Sequence, residues 1–190
     1  PNIKTCRFFD DKIGQKYLFE ALDVNHVPTY IFYDRSTAME WVENTKFPKV
    51  FKLSKGAGSA NVILAEDRQI ARKLIRTAFG KGFKTSNYSS EGAKRKITKT
   101  KSTKELLSNI KKIPGYIKKV NKSNALFGAQ KGYAYFQDFI PNNDHDVRVV
   151  VIGDKAFVKR RFCPPGDFRA SGAKIEDFDY ENIKIELFIG

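Results

Sequence analysis

The chain has 190 residues, 41% of them hydrophobic, with a formal net charge of +14. That length allows one domain or two small lobes with a real core, and no apolar run approaches the ~20 residues of a membrane span, so an integral helical membrane protein is excluded and a soluble globular one is expected. Cys6 and Cys163 are far apart and, with only two histidines, make no zinc-ligand set, so a reducing, cytoplasmic setting is the expectation. The N-terminus, Pro1-Asn2-Ile3-Lys4, shows no apolar signal region and no initiating Met, which points to a piece of a longer protein.

In chain order, residues 1–9 form an extended lead-in ending at Phe8-Phe9. Asp10 and Asp11 are good N-caps for a helix running to about Asp23, with Ile13, Tyr17, Leu18, Ala21 and Leu22 on its apolar face. Lys12 lies in the first turn, where it opposes the helix dipole. It is either a plain surface lysine or a group that faces an anion. Val27 to Tyr33 is a strand entered through Pro28, and Asp34-Arg35-Ser36 a turn. Thr37 to Glu43 is a short helix, with Thr37 and Glu40 at capping-box spacing. Met39 and Trp41 belong to the core.

Two short apolar runs follow, Val50 to Leu53 and Val62 to Ala65, joined by Lys55-Gly56-Ala57-Gly58-Ser59. Both are partly β-branched, so the stretch is a hairpin with a glycine-rich tip. Such a tip lets backbone N–H groups approach phosphates, and Lys52 on the entering strand is within reach of the same anion; an ordinary flexible hairpin is the alternative. A P-loop is excluded, because Ser59 and Ala60 follow Gly58 where Lys and Ser/Thr are required, and a dinucleotide fingerprint fails because position 61 is Asn61 and the next element is a strand. Asp67 then caps a helix with Ile70, Ala71, Leu74, Ile75 and Ala78 inward, stopped by Gly80 and Gly82. Helix, strand, helix, strand, strand, helix suits a small α+β lobe with an antiparallel sheet, residues 1–83.

Residues 84–131 form a basic insert, loop-like over 84–98, with a basic helix from Ser102 to Lys112 broken at Ile113-Pro114-Gly115. Within its run 94–122, Lys94, Arg95, Lys96, Lys99, Lys101, Lys104, Lys111, Lys112, Lys118, Lys119 and Lys122 stand against a single acid, Glu105. This is a solvated insert or a nucleic-acid contact; only Tyr116 interleaves an aromatic with the charges, which disfavours base stacking. Residues 132–190 change character. Tyr133 to Ile140 is a strand stopped by Pro141. Asp146 to Ile152 and Lys155 to Phe162 form a hairpin through Gly153-Asp154. Cys163 to Lys174 is a loop, and Asp177, Asp179, Glu181 and Glu186 read as a solvated acidic stretch.

Three segments in this order, Lys52 with its glycine loop, then Tyr135-Phe136-Gln137-Asp138-Phe139-Ile140-Pro141, then Asp146-Val147-Arg148-Val149 through Arg161 and Gly166-Asp167-Phe168-Arg169-Ala170-Ser171, resemble the ATP-grasp ligases. The likeness is greatest to the branch of the ribosomal-protein glutamate ligases and the glutathione-synthetase-like enzymes, and it covers most of the chain outside 84–130. The resemblance implies an ATP-grasp fold, two α+β lobes with ATP between them, the lobe from 132 onward being incomplete. It makes Lys52 the lysine on the inner phosphates and Lys12 a further one. Gly56, Ala57, Gly58 and Ser59 become the lid, and Asp138 and Phe139 the adenine-reading hinge. Asp146, Arg169, Ala170 and Ser171 become nucleotide contacts. Arg148, Arg161 and Arg169 become the catalytic arginines that hold the transferred phosphate and the substrate carboxylate.

The implied reaction is carboxylate–amine ligation with ATP and Mg²⁺. ATP phosphorylates a small carboxylate substrate, and an amine acceptor then displaces phosphate from the acylphosphate. Asp138 stands where the family commonly has Glu, and Ser171 where the glutamate-ligase branch has Asn. The family's Glu-x-Asn magnesium ligands have no counterpart before Gly190, so the metal ligands are left unassigned. Other readings of the same residues are an ATP-grasp-fold kinase, a nucleic-acid-binding module built on the basic insert, and a domain that binds without catalysis.

Overall fold

A computed structural model describes residues 8, 10–56, 61–84, 128–153, 155–171 and 175–178. In chain order the elements are α1 (Lys12–Ala21), β1 (Thr29–Phe32), α2 (Arg35–Asn44), β2 (Lys49–Lys52), β3 (Ile63–Ala65), α3 (Arg68–Ala78), β4 (Phe83–Lys84), β5 (Ala129–Gln130), β6 (Ala134–Asp138), β7 (His145–Ile152), β8 (Lys155–Phe162) and β9 (Glu176–Asp177). The result is mixed α+β with small antiparallel sheets. The basic segment 94–122, its expected helix and Ala57, Gly58, Ser59, Asp154, Asp179, Glu181 and Glu186 lie outside the described residues. No helix among the described residues is long and apolar enough to cross a membrane.

The chain divides into two compact units, Pro1–Phe139 and Ile140–Gly190. The first is built on a four-stranded sheet in the order β1-β6-β2-β3, antiparallel throughout. Strand β6, placed by sequence at the start of a second lobe, is instead the inner strand between β1 and β2. The division therefore falls after Phe139 rather than near residue 131. Registry stacks Tyr30, Phe136, Phe51 and Ile63 across the sheet. By strand alternation these residues share the face that packs on α2 and α3. There Phe51, Phe136, Val42, Ile75, Ala38 and Ala71 are fully shielded from solvent, and Trp41 lies against Tyr30, Phe32 and Phe136 with ring centroids 4.9, 5.1 and 5.1 Å away. The opposite face carries Thr29, Ile31, Val50, Lys52, Tyr135 and Gln137.

Local signals explain the helices. In α3, Asp67 accepts the N–H of Ile70 at 2.8 Å, and Ala71, Leu74, Ile75 and Ala78 are buried as their spacing predicts, while Ile70 stays half-buried. Beyond it Gly82, at φ +74°, donates its N–H to Thr77 O at 2.8 Å. Helix α2 begins earlier than its Thr37 signal suggests. Asp34 is the cap, accepting from Thr37 N at 2.8 Å and Thr37 Oγ1 at 3.0 Å, so Arg35 and Ser36 are helical rather than a turn. Hydrogen bonds from Ser36 and Thr37 hold the Asp34 carboxyl down to about 2.

The second unit is a β7–β8 hairpin with unbroken registry from His145↔Phe162 to Ile152↔Lys155. Two residues close it, and Gly153 at φ +64° takes the left-handed conformation the turn demands. Strand β9 pairs with β8 through Arg160↔Asp177 and Arg161↔Glu176. The acidic stretch expected in solvent is thus, at Asp177, part of an ion-paired strand, Glu176–Asp177. Lys159 donates to Glu176 at 2.7 Å and Arg160 to Asp177, because a strand as basic as β8 is stabilised by an acidic neighbour.

Candidate functional site

Lys52 ends β2 on the face of the first sheet opposite the helices. Its Nζ donates to Gln137 Oε1. Gln137 Nε2 donates to Thr29 Oγ1 at 3.0 Å, and that hydroxyl to Val27 O at 2.8 Å. A polar line thus crosses β2, β6 and β1. The ammonium is mostly withdrawn from water and faces a neutral amide. Burial first, and the nearby charge of Lys12 second, push Lys52 down to about 8. Lys12 is also lowered by burial, with Asp10 and Asp11 working against that. Two cations therefore influence each other, and among the described residues neither ammonium has a carboxylate in hydrogen-bond contact.

The residues that open the glycine-rich loop are held from two sides. From the start of α1, Asp11 caps the helix through Ile13 N and Gly14 N, both at 3.1 Å, and accepts Ser54 Oγ at 2.7 Å. Burial pushes the Asp11 carboxyl up, but the bonds from Ser54, Gly14 and Ile13 and the charge of Lys55 together bring it below its ordinary value. Gly56 N donates to Asp10 Oδ1 at 3.2 Å, and Lys12 Nζ donates to Gly56 O at 2.8 Å and to Ser54 O at 3.4 Å. From the other side, Tyr133 Oη accepts Ser54 N at 2.8 Å, and Gln130 binds both backbone groups of Lys55.

Of the residues singled out by sequence, Lys12, Lys52 and Gly56 come together here. Gly56, however, has its N–H committed to Asp10, so it offers that donor to no phosphate while this bond lasts. Asp138 is placed differently from the expectation. Registry pairs it with Lys49 on the helix-covered face, where Lys49 Nζ donates to its carboxylate and lies 4.9 Å from the Tyr30 ring centroid. The Asp138 side chain therefore points away from Lys52, leaving only backbone at this position to serve a hinge. Phe139 is half-buried at the end of the first unit.

In the second unit, Asp146 and Arg161 face each other across the hairpin in a bidentate pair, Nε–Oδ1 and Nη2–Oδ2 both 2.7 Å. The Asp146 hydrogen bond raises the Arg161 guanidinium above its ordinary value. Arg169 folds back on Asp167, with Nε 2.9 Å from Oδ1. Ala170 is buried and Ser171 half-buried. Arg148 is exposed, opposite Lys159. Arg161 and Arg169 are thus not waiting bare for a substrate carboxylate; each already holds an internal one.

Sequence reasoning missed Gln137, Thr29, Lys49, Gln130 and Tyr133. Strand alternation could have put Gln137 on the Tyr135 face, but its meeting with Lys52 depends on pairing between segments 85 residues apart. Toward a polyphosphate the described residues offer two lysines, Lys52 with an amide oxygen at its ammonium and Lys12 with backbone carbonyls. For magnesium the described residues offer no fit, since no three His, Cys, Asp or Glu side chains among them are grouped to hold a metal ion. No protein-family model and no curated protein matches the chain.

Proposed function

We propose that the chain is the ATP-binding core of an ATP-grasp carboxylate–amine ligase that works through an acylphosphate, with magnesium-bound ATP as phosphoryl donor. The observation that carries this reading is the Lys52 ammonium. A cation kept out of water with, among the described residues, only an amide oxygen for a partner, and repelled by Lys12, is short of negative charge, and a polyphosphate supplies it. Lys52 ends the strand that leads into the glycine-rich stretch, and glycine-rich backbone is suited to phosphates. The boundary between the two compact units follows Asp138-Phe139 directly, in keeping with the hinge role that the family resemblance gives this pair.

In the proposed reaction the terminal phosphoryl group of ATP passes to a carboxylate oxygen, giving ADP and an acylphosphate. The amine nitrogen then attacks the acyl carbon, loses a proton and releases inorganic phosphate. Lys52 and Lys12 neutralise phosphate charge, which is the larger part of the help that phosphoryl transfer needs from a protein. Arg148 is exposed on β7, and this reading gives it the substrate carboxylate. Arg161 and Arg169 take one only by exchanging it for Asp146 or Asp167. Magnesium, when bound with ATP, would neutralise charge on the phosphates.

Calorimetric titration of ATP into the protein and into Lys52→Ala tests the site. Binding by the wild type that weakens at least about tenfold in the variant supports it, a loss of roughly 1.4 kcal/mol. ATP cleavage that requires both an added carboxylate and an amine supports ligation, and a stable phosphorylated product formed without an amine indicates a kinase. Absence of ATP binding by the wild-type chain overturns the reading.

A further inference from the structure

We propose that Gln130 is the positioning residue of the Lys55–Gly56 backbone, its side-chain amide acting as a substitute strand partner that fixes how the chain leaves β2; this rests on the reading of the Lys52 surface as the ATP site. Gln130 Oε1 accepts Lys55 N at 3.0 Å while its Nε2 donates to Lys55 O at 3.1 Å. One side chain, 75 residues away in sequence, thus holds the N–H and the C=O of a single residue. Both peptide planes flanking Lys55 are oriented by it. The same Oε1 accepts the Tyr133 hydroxyl at 2.5 Å, and that hydroxyl oxygen accepts Ser54 N at 2.8 Å. Burial raises the Tyr133 hydroxyl above its ordinary value, so it stays a donor at neutral pH.

The clamp stands on a firm base. Gln130 pairs with Phe83 in the β4–β5 ladder. Gly82, at φ +74°, lets the chains approach so closely that a Cβ there would lie 2.8 Å from Gln130 O. Gly132 N donates to Ala78 O at 2.9 Å, tying the segment to the end of α3. Ala71, Leu74, Ile75 and Ala78 of helix α3 are buried in the core, so the chain's point of departure from β2 is referred to that core. Stability alone does not call for this arrangement. Lys55 is exposed, and water would satisfy its backbone groups at little cost. What water cannot do is hold the peptide in one orientation, and backbone beside an anion site serves it better when it is preorganised.

The test compares wild type, Gln130→Ala, Gln130→Glu and Tyr133→Phe by amide hydrogen exchange at Lys55, by ATP titration and by urea unfolding. In Gln130→Ala the Lys55 amide exchanges faster and ATP binds about tenfold more weakly, the scale of one or two lost hydrogen bonds, while the unfolding midpoint barely moves. Gln130→Glu keeps an acceptor for Lys55 N, so that amide stays protected and part of the affinity returns. Tyr133→Phe frees the Ser54 amide and gives a smaller loss of affinity. Faster Lys55 exchange with unchanged ATP affinity overturns the positioning role, and unchanged exchange overturns the clamp itself. If the wild type binds no ATP, the ATP reading and the positioning role fall together, whereas the exchange measurement still reports whether the clamp exists.

Discussion

Replacing Lys52 with Met should stabilise the protein and remove the proposed anion site. The fall of the Lys52 ammonium from 10.5 to about 8 is worth roughly 3 kcal/mol at about 1.4 kcal/mol per pH unit. Methionine keeps most of the packing and removes the charge, at the expense of leaving Gln137 Oε1 without its donor, about 1 kcal/mol. The expected net gain at pH 7 is about 2 kcal/mol. Its pH dependence follows from linkage. Below pH 8 the lysine is protonated whether folded or unfolded, and the full cost of burying the charge is present. Between about 8 and 10.5 the unfolded chain binds the extra proton, so wild-type stability from this group rises with pH and the variant's advantage fades. Urea unfolding of both proteins at pH 7 and pH 10 measures this, since groups common to the two cancel in the difference. A variant no more stable than wild type at pH 7, or an advantage of equal size at pH 10, would refute the reasoning.

Three further outcomes follow from the packing. Phe136→Ala, at the centre of the first sheet and fully buried, should cost about 3–5 kcal/mol in a urea melt. Asp138→Ala strands the buried Lys49 ammonium and should cost more than Lys49→Met, which removes the charge and keeps the bulk; measured against the double variant, the difference should reach roughly 2–3 kcal/mol. Gly82→Ala forces a side chain onto a positive φ and against Gln130 O, so a loss of about 1–3 kcal/mol is expected in the same assay.

What the sequence made legible was local. The Asp67 cap and the three-to-four spacing of Ala71, Leu74, Ile75 and Ala78 specify α3 almost by themselves, and the β7–β8 hairpin follows from alternation around Gly153. Asp34 was harder, because Asp34 and Thr37 are both competent caps and only the observed hydrogen bonds decide between them. Pairing between distant segments was not legible. β6 follows the basic insert in the chain yet sits between β1 and β2, and that placement brings Gln137 to Lys52 and sends Asp138 to Lys49. A one-residue alternation separates the two faces, so the lysines at 49 and 52 take opposite surroundings for a reason that composition does not carry. Asp177 looked like a solvated acid because its partner, Arg160, lies on a strand that carries no local signal of a third strand beside it. Gln130 and Tyr133 carried no motif at all; their role arises from where β5 is held.

The most direct measurement of the central claim is ATP titration by calorimetry at pH 8 and pH 9, each in two buffers of different ionisation enthalpy. At pH 8 about half of the Lys52 side chains are neutral, and a bound polyphosphate restores the proton, so binding should take up roughly half a proton at pH 8 and more at pH 9. Binding without proton uptake would place ATP away from Lys52, and absence of binding in either buffer would contradict the account.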